Sequence, residues 1–293
     1  MRSVLVTGAS GGVGRATALR LRERGWRVFA GVRSLEAVRD LGAEAIELDV
    51  TDRDSIARAR DELAGRTGQH GLQGLVNNAG LSVNGPLELV TTEALRRQFE
   101  VNVVGPVAVT QAFLPMLRSG SGRIVNVGGA AGRSTLPMYG ALSASKAALD
   151  AVSDALRMEL VHQGVSVSYI EPGGLATSFF ATAADASRRD GYAGGPETEG
   201  IYARAIEAAG TALAASRTSP VEDAARAIER ALTDRRPAAR YPVGRDARLV
   251  LPLLRHLPAR VRDRLVMGSL KIGRDAFASP PTSGGPHSYR PLG

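Results

Sequence analysis

Short apolar runs rich in Val, Ile and Leu recur along the first 170 positions, with longer stretches of mixed polarity between them. Residues 4–6, 28–30, 46–48, 75–76, 124–127 and 165–170 have the length and β-branched content of strands. Helix-sized segments separate them. One begins near Gly12, another at Asp52 with Ser55 and Ile56 opening a periodic run, and another at Thr91-Thr92-Glu93, a capping pattern. Repeated βα units imply a parallel sheet with helices on both faces, because every parallel connection must cross over. The expected fold is therefore α/β: a single Rossmann-type, doubly wound parallel sheet. Residues 1–278 read as one domain, because no composition break divides them. A stretch rich in Ala, Gly and Asp at about 178–216 is expected to form a small helical lid. Residues 279–293 are dominated by Pro, Gly and Ser and are expected to be a disordered tail.

Composition narrows the chemistry. Hydrophobic residues make up 44% and charged residues 23% of the 293 positions, the usage of an ordinary globular protein. With no Cys there is no disulfide, thiolate nucleophile or Cys-bound zinc. His70, His162, His256 and His287 are scattered, so no metal is expected. The formal charge of +8 is local: residues 235–274 hold eleven Arg or Lys against Asp246 and Asp263, and the rest of the chain nearly balances. Leucines interleave that segment, which reads as a basic amphipathic stretch. It is either a solvated face or a weak contact with an acidic membrane surface, and nucleic acid is not expected as a partner. No uninterrupted apolar run reaches about 18 residues and no secretory signal stands at Met1, so a cytoplasmic location is expected.

The first βα turn reads Thr7-Gly8-Ala9-Ser10-Gly11-Gly12-Val13-Gly14. Glycines between a strand and a helix let the backbone approach a pyrophosphate, and the helix N-terminus supplies amide donors for it. At the end of the second strand Arg33 follows Val32, where a carboxylate would accept from the 2′-hydroxyl of NAD. A guanidinium there suits the 2′-phosphate of NADP(H), the expected cofactor. Only two lysines, Lys146 and Lys271, stand among 35 arginines, so Lys146 marks a place that wants a compact ammonium.

The turn has the spacing TGxxxGxG. It is followed by Asp49-Val50, Asn77-Asn78-Ala79-Gly80, Asn102, Lys146 in an SxSK context, and Pro172-Gly173. In that order these motifs resemble the short-chain dehydrogenase/reductase family. The local wording, including Gly31-Val32-Arg33 and residues 240–247, is most similar to its hydroxysteroid and retinol dehydrogenase branch. The resemblance implies a cofactor cradle of Gly8, Ser10, Gly12, Val13 and Gly14, with Asp49 and Val50 at the adenine and Asn78, Ala79 and Gly80 along the adenosine ribose. It further implies that Lys146 grips the nicotinamide ribose and that Asn102 positions a water beside it. Pro172, Gly173, Leu175 and Thr177 belong to a match to the family's PGxxxT, whose threonine contacts the carboxamide. A homo-oligomer built through helices spanning 99–113 and 147–160 is also implied.

The family's acid–base pair is missing. Its tyrosine stands four residues before the lysine, a position held here by Leu142, and its serine thirteen residues earlier, where this chain has Gly129. A positioned general acid contributes roughly 10²- to 10⁴-fold and an oxyanion donor roughly 10²- to 10³-fold. Tyr139 is a possible substitute, but it precedes Lys146 by about two turns, roughly 10 Å along the axis. A place in the substrate wall, with Leu142, Phe179, Phe180 and Tyr192, is its other reading. Three functions stay open. The first is an NADP(H)-binding enzyme acting on a hydrophobic small molecule, steroid-, polyketide- or terpenoid-like, by hydride transfer to an activated acceptor or by a redox-neutral conversion. The others are an ordinary alcohol/ketone oxidoreductase with a relocated acid, and a non-catalytic NADP(H) sensor.

Overall fold

The computed structural model of the chain describes residues 1–176, Phe179, 196–216, 218–250, 253–254 and 256–277. Seven strands among them form one parallel sheet in the order β3-β2-β1-β4-β5-β6-β7. These are β1 (Ser3–Thr7), β2 (Arg27–Val32), β3 (Glu44–Glu47), β4 (Gly74–Asn77), β5 (Arg123–Val127), β6 (Ser166–Pro172) and β7 (Arg240–Val243). The six apolar runs each lie in or overlap one of the first six. The sequence reading did not anticipate β7: it is four residues long, Arg240-Tyr-Pro-Val, and its proline is tolerated because it forms the sheet edge.

Period-2 alternation divides the strands between two cores. On one face Val4, Val6, Val28 and Val76 pack against α1 (Gly12–Glu23) and α7 (Val221–Thr233). On the other, Leu5, Phe29, Leu75 and Ile124 pack against α2 (Arg53–Thr67) and α4 (Gly105–Ser119). The anticipated helix starts are capped. Asp52 accepts from Asp54 N at the head of α2. Thr91 accepts from Ala94 N, at 3.1 Å, at the head of α3 (Thr92–Phe99). α3 runs through a π-type turn, Glu100–Val104, into α4. The resulting 28-residue helix has the length and apolarity of a membrane span, although its Val109, Phe113 and Leu117 are spent on the sheet.

A third cluster lies beyond the sheet. Met138, Tyr139 and Leu142, at the head of α5 (Gly140–Leu160), pack with Ala205 and Ala209 of α6 (Pro196–Ala214) and with Val266 of α8 (Ala259–Ser269). α6 is the described part of the expected lid. Residues 177–178 and 180–195, including Thr177, Phe180 and Tyr192, lie outside the described residues, as does the tail from 278 onward.

Candidate active site

Strand order reverses at β1, between β2 and β4, and a crevice opens at the carboxyl ends of the strands there. It is part of one cleft of about 1520 Å³ that runs from the β1–α1 turn to α6 and α8. Gly8 has φ +65 and donates its N–H to Gly31 O at 2.9 Å; a Cβ on it would stand 2.8 Å from Ala79 Cα. Both the handedness and the close approach therefore call for glycine. Thr7 Oγ1 accepts from the amides of Asn78 and Ala79, each at 3.0 Å. Asn78 Nδ2 donates back to Thr7 O at 2.9 Å and Gly8 O at 3.1 Å. These bonds fix the β1 and β4 loops to each other before any ligand arrives. Ser10, Gly12 and Val13 line the cleft, and no acidic residue occupies the first turn of α1 to spoil its positive end. Gly14 lies behind them, where a Cβ would stand 2.3 Å from Gly8 O.

At the β2 and β3 ends Val32, Arg33, Asp49 and Val50 border the cleft, with Arg33 exposed. Burial raises the Asp49 carboxyl pKa. It nevertheless ends below the usual range, because Thr51 donates its N–H at 2.9 Å and its hydroxyl at 2.7 Å, and Arg33 adds attraction. Asp49 thus stays an anion shaping its own loop, and Arg33 is the cation that faces outward from this end.

The other end is built around Lys146. Its buried ammonium donates to Val127 O at 3.1 Å, and burial pulls its pKa down to about 8. An ammonium has three donors, and Val127 O is its one hydrogen-bond acceptor among the described residues, so donors remain for ribose hydroxyls. The cradle, the outward cation and this donor set fit a dinucleotide. Asn102 sits in the π-type turn with its side chain already engaged: Oδ1 accepts from Leu81 N at 2.9 Å, and Nδ2 donates to Leu81 O at 2.9 Å and Ser145 Oγ at 3.1 Å. Its two amide donors are thus both used within the protein, and Oδ1 keeps one lone pair free among the described residues. Pro172 and Gly173 line the cleft, and Leu175 is bridged to Ser219.

Leu142 is buried in the cleft wall at the position of the missing tyrosine, and no hydroxyl replaces it there. Gly129 lines the cleft too, with space beside it: a Cβ would meet Lys146 Cγ at 3.8 Å and Pro172 O at 3.9 Å. Tyr139 does not line the cleft. As the residue that opens α5 it is buried in the third cluster, beneath the wall that Leu142 and Phe179 present.

Two residues of this site went unread in the sequence. Tyr169 on β6 receives the Gly129 N–H at 3.2 Å and donates to Lys146 O at 3.1 Å. Its ring fills the space of a side chain at 128, since a Cβ on Gly128 would stand 1.8 Å from it. Its strand position alone marked it as core. Asp246 accepts from Gly174 N at 2.8 Å and holds the loop after β6. Only its place in the 240–247 string singled it out.

A parallel sheet with a glycine turn at its switch point, a two-ended cleft and a buried lysine beside the far end defines a Rossmann-class dinucleotide-binding protein. The short chain dehydrogenase family model matches residues 2–188, and the chain belongs to that family of oxidoreductases. It is 36% identical over 271 residues to the "Uncharacterized oxidoreductase YbbO" of Escherichia coli (strain K12), covering 91% of this chain and 94% of that one. It is 32% identical to the NADPH-dependent 3-dehydrocapnine reductase of Ornithobacterium rhinotracheale, over 92% of this chain and 98% of that one. Retinol dehydrogenase 5 of Homo sapiens is 33% identical, over 90% of this chain and 87% of that one. Among solved structures, a short-chain dehydrogenase from Streptomyces avermitilis superposes with a TM-score of 0.74 at 31% identity, covering 92% and 96% of the two chains. One from Burkholderia cenocepacia J2315, in complex with NADP, gives 0.71 at 29% identity, covering 90% and 99%.

Proposed function

We propose that the protein binds NADP(H) and converts a hydrophobic small molecule by chemistry that does without the serine–tyrosine pair. The observation that carries this reading is the wall beside Lys146: Leu142 and Gly129 offer no hydroxyl to a reacting oxygen, while Gly8, Ser10, Gly12, Val13, Arg33 and Lys146 line the same cleft. Arg33 takes the 2′-phosphate, the amides at Gly12 and Val13 take the pyrophosphate, and Lys146 takes the nicotinamide ribose. NADPH, when bound, supplies a hydride. Leu142, Leu136, Phe179, Leu213 and Val266 give the substrate compartment an apolar surface. Such walls exclude water and bind by area, but they transfer no proton. Reduction here therefore suits an acceptor that needs no proton in the hydride step, such as an iminium; a conjugated enone leaves an enolate that takes its proton from solvent, and a redox-neutral isomerisation or dehydration would have to route its protons through Lys146. A compartment reaching well past Lys146 favours an enzyme over a sensor that recognises only the dinucleotide.

The test pairs binding with turnover. Calorimetry is expected to show NADPH bound more tightly than NADH, and a panel of simple ketones, enones and imines is expected to show turnover only of the activated members. Robust reduction of simple ketones would overturn the reading.

A further inference from the structure

The cleft opens beside a surface that its chemistry does not use. Of the large hydrophobic side chains exposed among the described residues, Leu249, Val250, Leu253, Val261 and Leu265 fall within 17 positions of one another, and Leu249 and Leu253 are 65% and 68% exposed. Val261 and Leu265 stand one turn apart on α8, so they form a single outward ridge. Arg260 and Arg264 repeat the same step one residue earlier, laying a stripe of cations beside that ridge. Neither arginine makes an ion pair among the described residues, and Arg245 and Arg248 are also exposed. Val250 and Leu265 also line the cleft, together with half-buried Leu254, so the exposed aliphatic residues adjoin the cleft.

We infer that this face docks on an anionic lipid surface, with the aliphatic ridge in the interface and the arginines among the headgroups. A clustered apolar patch left bare is unusual for a solitary soluble chain. Charge decides between possible covers. Residues 235–274 carry the whole excess of positive charge, so a second copy meeting this face with the same face would bring like charges together. A nucleic acid would match the arginines and leave the aliphatic side chains with nothing to do. An anionic bilayer takes both: each basic side chain near its surface adds attraction, and the apolar ridge adds burial. Docked this way, the cleft's aliphatic walls face the lipid, so a lipophilic molecule enters without crossing water. That last consequence rests on the proposed substrate class; the docking does not.

Flotation of the full chain with vesicles, read without any substrate, separates the two. The protein is expected to float with vesicles of phosphatidylcholine and phosphatidylglycerol, to stay behind with phosphatidylcholine alone, and to be released by salt. Arg260→Glu with Arg264→Glu, and separately Leu249→Ser with Leu253→Ser, are each expected to weaken partition by about tenfold or more at unchanged thermal midpoint. Failure to float with anionic vesicles would overturn the inference. So would undiminished flotation of the serine variant, which would reduce the face to plain electrostatics. Dissociation of an oligomer by that variant would also overturn it, by assigning the ridge to a second copy.

Discussion

Lys146 is a stability cost held for the sake of the site. Its pKa of about 8 lies below the 10.5 of a free lysine, so between those values the unfolded chain binds more protons than the folded one. Stability from this group therefore rises with pH across that window, and below about pH 8 the full penalty is present. Lys146→Met is expected to stabilise the ligand-free protein at about pH 7 by on the order of 3 kcal/mol, and to lose most of that advantage by about pH 10. Denaturant titrations of both proteins check it. Gly129 makes the complementary case. Its φ of 171 is extended backbone and its Cβ space is open, so Gly129→Ser fits, whereas a side chain at Gly128 is blocked by Tyr169. Gly129→Ser with Leu142→Tyr is expected to raise simple-ketone reduction roughly 10²-fold or more, well beyond either single change, in steady-state assays with NADPH. Arg33→Ala is expected to narrow the preference for NADPH over NADH, read by calorimetry. Lys146, Leu142 and Gly129 were legible because they are spaced along one strand–loop–helix unit. Tyr169 was not: it reaches Gly129 across neighbouring strands, 40 positions away in the chain, and no local pattern encodes that meeting.

At the scale of elements, the caps and the alternation told most. Asp52 and Thr91 stop the backbone where their side chains accept the first free amides, and both were readable by eye. β7 was not, because a four-residue edge strand with a proline lacks a hydrophobic signature of its own; β6 dictates it by offering a free edge. Helix α1 shows how an element and a site share one constraint. It approaches the β1 turn so closely that a methyl group on Gly14 meets Gly8 O at 2.3 Å and Asn78 Nδ2 at 2.4 Å. Both atoms are locked in the loop-to-loop bonds, so the helix must yield instead. Gly14→Ala is expected to cost about 1–3 kcal/mol in thermal or denaturant unfolding and to weaken dinucleotide binding by tenfold or more.

For the molecule as a whole, the order of βα units announced the sheet, and the position of the charge announced which end would be basic. What the sequence could not announce was the third cluster, where α5, α6 and α8 meet from three distant parts of the chain to wall the cleft. Exposed Val104, Met158 and Val161 on and after the long helices are expected to be covered in a homo-oligomer, and sedimentation at micromolar concentration checks it. A different long-range partnership carries the last consequence. α1, which presents the cradle, rests on α7: Ala18 and Leu21 share a core with Ile228 and Leu232, and Glu229 pairs with Arg20 and with Arg24, the latter at 3.1 Å. On the ribosome the glycine turn thus emerges well ahead of the seat of its helix, which is translated more than two hundred residues later. A nascent chain lacking α7 carries the dinucleotide motif without that seat, so a chain truncated before Val221 is expected to gain far less protection from added NADPH than the 293-residue chain, read by limited proteolysis.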